Sequence, residues 1–226
     1  MSNALTQYLG NADLPAISEQ DMAGALAEVS NESGNSAGMF DYLSFSGKSG
    51  QYSLGRKREN VDTEQLYIMD PLSVIAGWTC WKASKPIAKH EWSVYNKNAR
   101  IEEGQLEDHA PYNTKAGDGW AEMRGFSCFP CDQIKGQVNF TTTSKSGRNA
   151  VYDLTNDIAK RAAAGEPTLP VFYFESESFV AQDMKNFKPK FEVEAWVTRD
   201  AVQSYVDGDI TAEQLIAGDA PKKKRK

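Results

Sequence analysis

Apolar and polar residues alternate along much of the chain, which is the pattern of β-strands with one buried face. In the clearest segment, FEVEAWV, we expect Phe191, Val193 and Ala195 on one face of a strand and Trp196 on the other. Further β-branched and aromatic segments follow residue 39, and they predict roughly six to eight strands in all. The strands follow one another without alternating helices, so a Rossmann-like parallel sheet is not expected.

One strong helical pattern interrupts the predicted strands. Over residues 148–165, Val151, Leu154 and Ile158 recur at helical spacing, and Gly165 is a typical residue to end a helix. Two shorter helical segments, RDAVQSYVDG and TAEQLIAG, close the folded region. We therefore predict a mainly β protein, an OB-like antiparallel β-barrel with one inserted helix and short terminal helices.

Composition divides the chain into three parts. Residues 1–37 hold a short amphipathic segment followed by SNESGNSAG, which is typical of a mobile N-terminal helix and a linker. Residues 38–218 are expected to form a single β-rich domain, and the cations that cluster with aromatic rings within it, in stretches such as residues 78–100, predict that it binds nucleic acid. Residues 219–226 form a basic C-terminal tail.

The net charge is −6 although the chain ends in five consecutive cations, PKKKRK. A body this acidic can bind nucleic acid only through a local basic groove. The tail resembles the nuclear-import signal of a polyomavirus tumour antigen, and it could direct nuclear import in a eukaryotic cell. Whether it is native or appended is left open.

The three cysteines do not suggest a secreted disulfide framework. The first twenty residues lack the pattern of a signal peptide, and no apolar run approaches the ~18 residues of a membrane span. We therefore expect a cytoplasmic protein that does not enter membranes.

Cations and aromatic rings occur together in several stretches, notably residues 48–58, 78–100 and 185–191. Bases stack on flat side chains while cations neutralise the phosphates between them. The residues expected on phosphates are Arg56, Lys57, Arg58, Lys82, Lys85, Lys89, Lys145, Arg148 and Lys188, and those expected on bases are Tyr52, Trp81, Trp92 and Phe187. In the alternative interpretation, the cations belong to ordinary solvated loops and some of the tryptophans belong to the core.

Cys128 and Cys131 form a C-x-x-C motif, which can supply half of a zinc site. Cys80 with either His90 or His109 could complete such a site, so zinc is a weak candidate and no other cofactor is expected. The motif also fits a thiol–disulfide role or two buried thiols. We expect no enzyme, because the chain has two histidines and none of the common catalytic motifs.

Residues 40–81 resemble the opening of small single-stranded DNA-binding proteins from tailed phages. The resemblance rests on a β-hairpin, the turn at Asp70-Pro71 and the tryptophans of GWTCW, and a later DGWAEMRGF segment extends it over roughly residues 39–200. It implies coating or protection of single strands during replication or recombination, in the host cytoplasm, with replication proteins as possible partners. Many such proteins end in an acidic tail that recruits partners, whereas this chain ends in a basic one.

Two alternatives remain open at this stage. The acidic body could bind and modulate a host protein. A metal-dependent nuclease could use carboxylates such as Glu175 and Glu177.

Overall fold

A computed structural model describes residues 40–55, 57–131, 136–181 and 183–218 of the chain. The predicted N-terminal helix and linker (residues 1–37) and the basic tail (219–226) lie outside the described residues, as does Arg56.

The protein is mainly β, as predicted. Its strands are β1 (Phe40–Phe45), β2 (Tyr52–Leu54), β3 (Glu59–Asn60), β4 (Leu66–Met69), β5 (Ile75–Lys82), β6 (Lys85–Ser93), β7 (Gly119–Pro130), β8 (Gln137–Thr142), β9 (Leu169–Ala181) and β10 (Met184–Val197).

These strands form a single sheet that is not closed. Its order is β10-β9-β4-β7-β8-β1-β2-β3, and β5 pairs with β6 and β7 away from this path. The pairs are antiparallel except β1 and β8, which run parallel. The expected antiparallel barrel is therefore not found. The alternation of apolar and polar residues shows which face of a strand is buried, but it does not show which strands pair with each other.

Strands β4 and β5 pair with successive segments of β7, and this arrangement explains why the sheet branches at β7. Met69 lies opposite Cys128, and Ile75 lies opposite Gly125 further along the same strand. Between them, Pro71–Ser73 form a short 3-10 turn that is capped by Asp70, whose carboxylate accepts from the Leu72 N–H. On the sides away from β7, β4 pairs with β9 and β5 pairs with β6. The sheet therefore has two lobes, one with β4, β9 and β10 and one with β5 and β6, and both lobes share β7.

Three helices complete the described fold: α1 (Lys145–Ala164), α2 (Arg199–Val206) and α3 (Ala212–Ala217). The predicted inserted helix is confirmed as α1, and it starts three residues earlier than the apolar pattern. The Ser144 side chain accepts from the Gly147 N–H at 3.1 Å and caps the start. Gly165 ends the helix with φ 70°, a left-handed conformation that glycine adopts without strain. Both predicted C-terminal helices are also confirmed.

Aromatic rings fill the main core. Phe126, Phe140, Phe172, Phe174 and Phe191 contact one another, largely edge to face, with centroid distances between 5.1 and 6.3 Å. Such pairs add to the free energy gained by burying the rings. The buried face of α1 packs on the same cluster.

A second core lies on the opposite face of the sheet, where Ile68, Phe129 and Val171 pack under α2 and α3. The prediction that Ala195 shares a face with Phe191 and Val193 is wrong. A β-bulge shifts the register between Val193 and Ala195, so Ala195 packs on the second core and Trp196 on the main one. An extra residue in one strand reverses the alternation beyond it.

Candidate nucleic-acid interface

Trp81 and Trp92 lie on opposite faces of the β5–β6–β7 lobe. Trp92 lies opposite Ala76, and two residues further along β5 Trp78 occupies the same face. Trp81 follows Cys80, which lies opposite Trp120, and so Trp81 points to the other side. The two rings therefore cannot stack on adjacent bases at one surface.

The long connection between β6 and β7 packs over the face that carries Trp78 and Trp120. The Trp78 indole N–H donates to the Ile101 carbonyl at 2.9 Å, and the Trp120 indole N–H donates to the Glu107 carbonyl at 2.8 Å. His90 stacks on Trp120 with a centroid distance of 5.3 Å. These two tryptophans therefore hold the loop in place.

Trp81 lies in a groove of about 410 Å³ on the other face, which we call the polar groove. Its walls hold hydroxyl groups, three aromatic residues, one cation and a few other apolar residues, mainly Tyr42, Ser44, Phe45, Thr79, Trp81, Pro86, Lys89, Met123, Thr141 and Thr143. Tyr42 is 62% exposed and Trp81 is half-buried. Ring faces on a sheet surface with hydroxyl groups between them suit the stacking of unpaired bases.

Exposed cations flank the polar groove. Lys85 precedes Pro86, which lines the groove beside Trp81, and Lys145 follows Ser144, another lining residue. The Gly55 N–H donates to the Tyr42 carbonyl at 2.9 Å, so the turn that carries Lys57 and Arg58 begins next to the main chain of Tyr42.

Within the described residues, none of these four flanking cations has an acidic partner. The structure thus brings Trp81, Lys89 and unpaired cations from three separate stretches of the chain close to one groove.

Tyr52 is not available for stacking, which corrects the sequence prediction. Its side chain is 4% exposed and packs 4.8 Å from Phe45 and 5.0 Å from Phe174, centroid to centroid. Burial raises the pKa of Tyr52 well above its usual value. The ring lies on the inner side of β2, because β2 is part of the curved sheet and not of a free hairpin tip.

Several of the predicted phosphate-binding cations are already bound within the protein. Lys89 pairs with Glu91 at 2.5 Å, Arg148 with Glu122 at 3.4 Å and Lys188 with Glu177 at 3.2 Å. The Lys82 ammonium donates to the His109 carbonyl at 3.2 Å. A phosphate would have to compete with these contacts, so these four side chains are weaker candidates than the four flanking cations.

Phe187 lies on the long β9–β10 hairpin, away from the polar groove. An added Cβ on Gly50 would lie 2.6 Å from a Phe187 ring carbon, so the ring packs directly against this glycine. The Lys185 ammonium lies 5.2 Å from the centre of the Phe187 ring. The half-buried ring therefore anchors the β1–β2 turn against β10, which is an edge strand that tolerates Pro189.

The C-x-x-C thiols do not face each other. Cys128 packs in the main core and Cys131 in the second core, on opposite sides of the sheet. Burial raises the pKa of the Cys128 thiol well above its usual value, so this group is a poor metal ligand and nucleophile. Among the described residues, no three His, Cys, Asp or Glu side chains lie close enough to hold a metal ion, and Cys80, Cys128 and Cys131 form no such group.

Sequence reasoning did not single out Tyr42, which lines the polar groove, because its segment contains a single acid and no cation. Tyr42 and Leu43 are neighbours on a strand and so face opposite sides, and Leu43 is buried in the main core. An exposed ring next to a buried leucine on a strand was the available signal.

Comparisons with known proteins give no relative: no family model, no curated protein and no solved structure matches this chain. In the part of the chain that the structure describes, no helix has both the length and the apolar character needed to cross a membrane.

Proposed function

We propose that the protein binds single-stranded DNA along the polar groove, as a coating or protecting protein of phage replication or recombination. The observation that carries the proposal is the pair of accessible rings, Tyr42 and Trp81, which line one groove together with several hydroxyl groups and have unpaired cations nearby. Bases would stack on the rings, and the flanking cations would neutralise phosphates.

The shape of the groove favours an unpaired strand. Two rings on one sheet face can each receive a single base, whereas a duplex keeps its base faces stacked inside. A relation to the OB class is part of the same proposal. It is supported by the mostly antiparallel sheet and by the position of α1 between β8 and β9.

The test uses a labelled ~30-nucleotide single strand titrated into the full chain and into a chain shortened after Gly218, so that the five tail cations are absent. We expect Tyr42→Ala with Trp81→Leu to weaken binding at least tenfold, since stacking contributes about 1–3 kcal/mol per base. The salt slope is the slope of the logarithm of the binding constant against the logarithm of the salt concentration. Changing Lys57, Arg58 and Lys85 together to Gln should reduce its magnitude by about 2 in the shortened chain.

The matched control is Lys188→Gln, which removes a cation that Glu177 already pairs. It should leave both affinity and salt slope unchanged. The proposal fails if the shortened chain binds no strand, or if the ring and cation variants bind as well as the parent.

A second candidate function, binding of a protein partner, is favoured by a different observation. The tip of the β9–β10 hairpin exposes Phe179, Val180 and Met184, and Val180 is 75% exposed. Adjacent apolar side chains at a protruding tip suit a protein contact better than a phosphate backbone. Val180→Asp with Met184→Asp should then abolish binding of the protein partner, while binding of single-stranded DNA stays at the parent level.

A further inference from the structure

The lobe that carries the polar groove has a second groove on its opposite face, beside Trp92. This groove has a volume of about 620 Å³, within the range of small-molecule sites. Trp92, Ala76 and Arg124 form one row across its floor, because Ala76 lies directly opposite Trp92 on β6 and opposite Arg124 on β7.

In this row the small Ala76 lies between two residues with planar side chains, Trp92 and Arg124, and we call the space above it the slot. Adjacent strands are about 4.8 Å apart, so the backbones of Trp92 and Arg124 are separated by roughly 10 Å. Ala76 between them contributes a single methyl group. A base held between two planar groups needs two spacings of about 3.4 Å, the rise per base along a DNA strand, and the separation of the two backbones leaves room for it.

The charges in this groove favour an anionic ligand. Of its two acids, Glu102 pairs with Arg100 at 2.9 Å, and Glu122 pairs with Arg148 at 3.4 Å. The other two lining cations, Lys97 and Arg124, have no acidic partner in the described part of the chain. The ligand they fit carries a planar ring and at least one negative charge.

The walls of the groove are fixed before any ligand binds. Trp78, which lines it, donates its indole N–H to the carbonyl of Ile101 in the opposite wall at 2.9 Å. The Val94 N–H, at the end of β6, donates to the Val74 carbonyl at 3.1 Å. A preformed slot reduces the entropy that binding costs.

We infer that this groove binds a nucleotide, with the base between Trp92 and Arg124 and the phosphate toward Lys97. The ligand is either a free nucleoside monophosphate or one nucleotide of a strand, since both present the same base and phosphate. The site lies on the face opposite the polar groove, and its existence does not depend on the function proposed above.

The first measurement is calorimetric titration of AMP into the full-length protein, with adenosine as the probe that lacks the phosphate. We expect AMP to bind and adenosine to bind at least fivefold more weakly. Arg124→Gln, Trp92→Leu and Ala76→Leu should each weaken AMP binding about tenfold, the last by filling the slot while both flanking groups remain.

Lys115→Gln serves as the matched control, because Lys115 lines neither this groove nor the polar groove. It should bind AMP like the parent protein. Thermal melting of each variant verifies folding. Arg124→Gln changes a half-buried side chain at the groove surface, so it provides a test even if Ala76→Leu does not fold. The inference is overturned if AMP does not bind, or if folded Arg124→Gln and Trp92→Leu bind it with the parent affinity.

Competition with a ~30-nucleotide strand separates the two sources of the nucleotide. If AMP displaces the strand and Arg124→Gln weakens strand binding, the groove holds a nucleotide of the strand. If AMP binds without displacing the strand, the ligand is a free nucleotide. Both results support the site. If the function proposed above is wrong, the Tyr42 and Trp81 variants will bind single-stranded DNA as well as the parent, while AMP binding persists.

Discussion

The Tyr52 hydroxyl donates to the main-chain carbonyl of Glu175 at 2.8 Å, across 123 positions of the sequence. A second bond, from the Phe187 N–H to the Gly47 carbonyl at 2.8 Å, lies near the same place. Together they fasten the β1–β2 hairpin to the middle of the long β9–β10 hairpin, where Glu175 lies opposite Lys190. Tyr52 therefore ties to β9 the hairpin whose first strand carries Tyr42.

Replacing Tyr52 with Phe should lower the free energy of unfolding by about 1 kcal/mol, because the ring is kept and one largely buried hydrogen bond is lost. Urea denaturation measures this change. Tyr42→Phe is the control, since that ring is 62% exposed, and it should change stability by less than about 0.5 kcal/mol. Equal stabilities of the two variants would mean that the Tyr52–Glu175 bond contributes nothing.

Stability should also fall at high pH through Tyr52. Burial, with a smaller contribution from the charge of Glu175, raises the pKa of this phenol above its usual value of about 10, while a main-chain hydrogen bond at Lys190 partly offsets the rise. The unfolded chain therefore loses this proton before the folded protein does. The stabilisation is complete below pH ~10 and decreases above it, by up to about 1.4 kcal/mol per pH unit.

The comparison of parent and Tyr52→Phe isolates this effect from the other tyrosines. Their unfolding free energies, measured between pH 8 and 11.5, should converge as the pH rises above 10 and cross within about one pH unit above it. A constant difference over that range would contradict the assignment.

Much of the secondary structure was predictable, because strands and helices leave a periodic signal in the sequence. The α1 helix followed from Val151, Leu154 and Ile158, all three of which are buried in the main core. The pairing partners were not predictable. The parallel contact of β1 with β8 joins segments almost a hundred residues apart, and no local pattern encodes it.

The candidate site was predictable only in part. Clustered cations identified Lys57, Arg58, Lys85 and Lys145, since exposed charge is a local property. Which ring is buried depends on the register of the sheet, and for this reason Tyr52 was misplaced and Tyr42 was missed. The acidic partners of Arg148 and Lys188 lie on other strands, β7 and β9, so the neutralisation of these cations depends on the pairing and is visible only in the fold.

Gly77 is a position where even a methyl group should not be tolerated. An added Cβ would lie 2.2 Å from the His90 carbonyl oxygen and 2.9 Å from the Met123 Cε atom. The carbonyl belongs to the paired strand β6 and cannot move without disturbing the ladder. Gly77→Ala should therefore destabilise the protein by at least about 2 kcal/mol in urea denaturation.

Gly104 offers a matched control for this substitution, because an added Cβ there meets no atom within 4 Å. Gly104→Ala should change stability by no more than about 0.5 kcal/mol. If Gly77→Ala were as stable as Gly104→Ala, this result would contradict the close approach of β5 and β6 at Gly77.

The loop between β6 and β7 should loosen when its two indole bonds are removed. Trp78→Phe and Trp120→Phe keep an aromatic ring in place, but they remove the N–H groups that bind the carbonyls of Ile101 and Glu107. Each loss is worth about 1 kcal/mol, so amide hydrogen exchange within residues 101–112 should accelerate about fivefold per substitution. Trp196→Phe is the control on another part of the sheet, where Arg161 lies over the ring at 4.6 Å. Exchange that accelerates equally throughout the protein, or not at all within residues 101–112, would show that these bonds do not hold the loop.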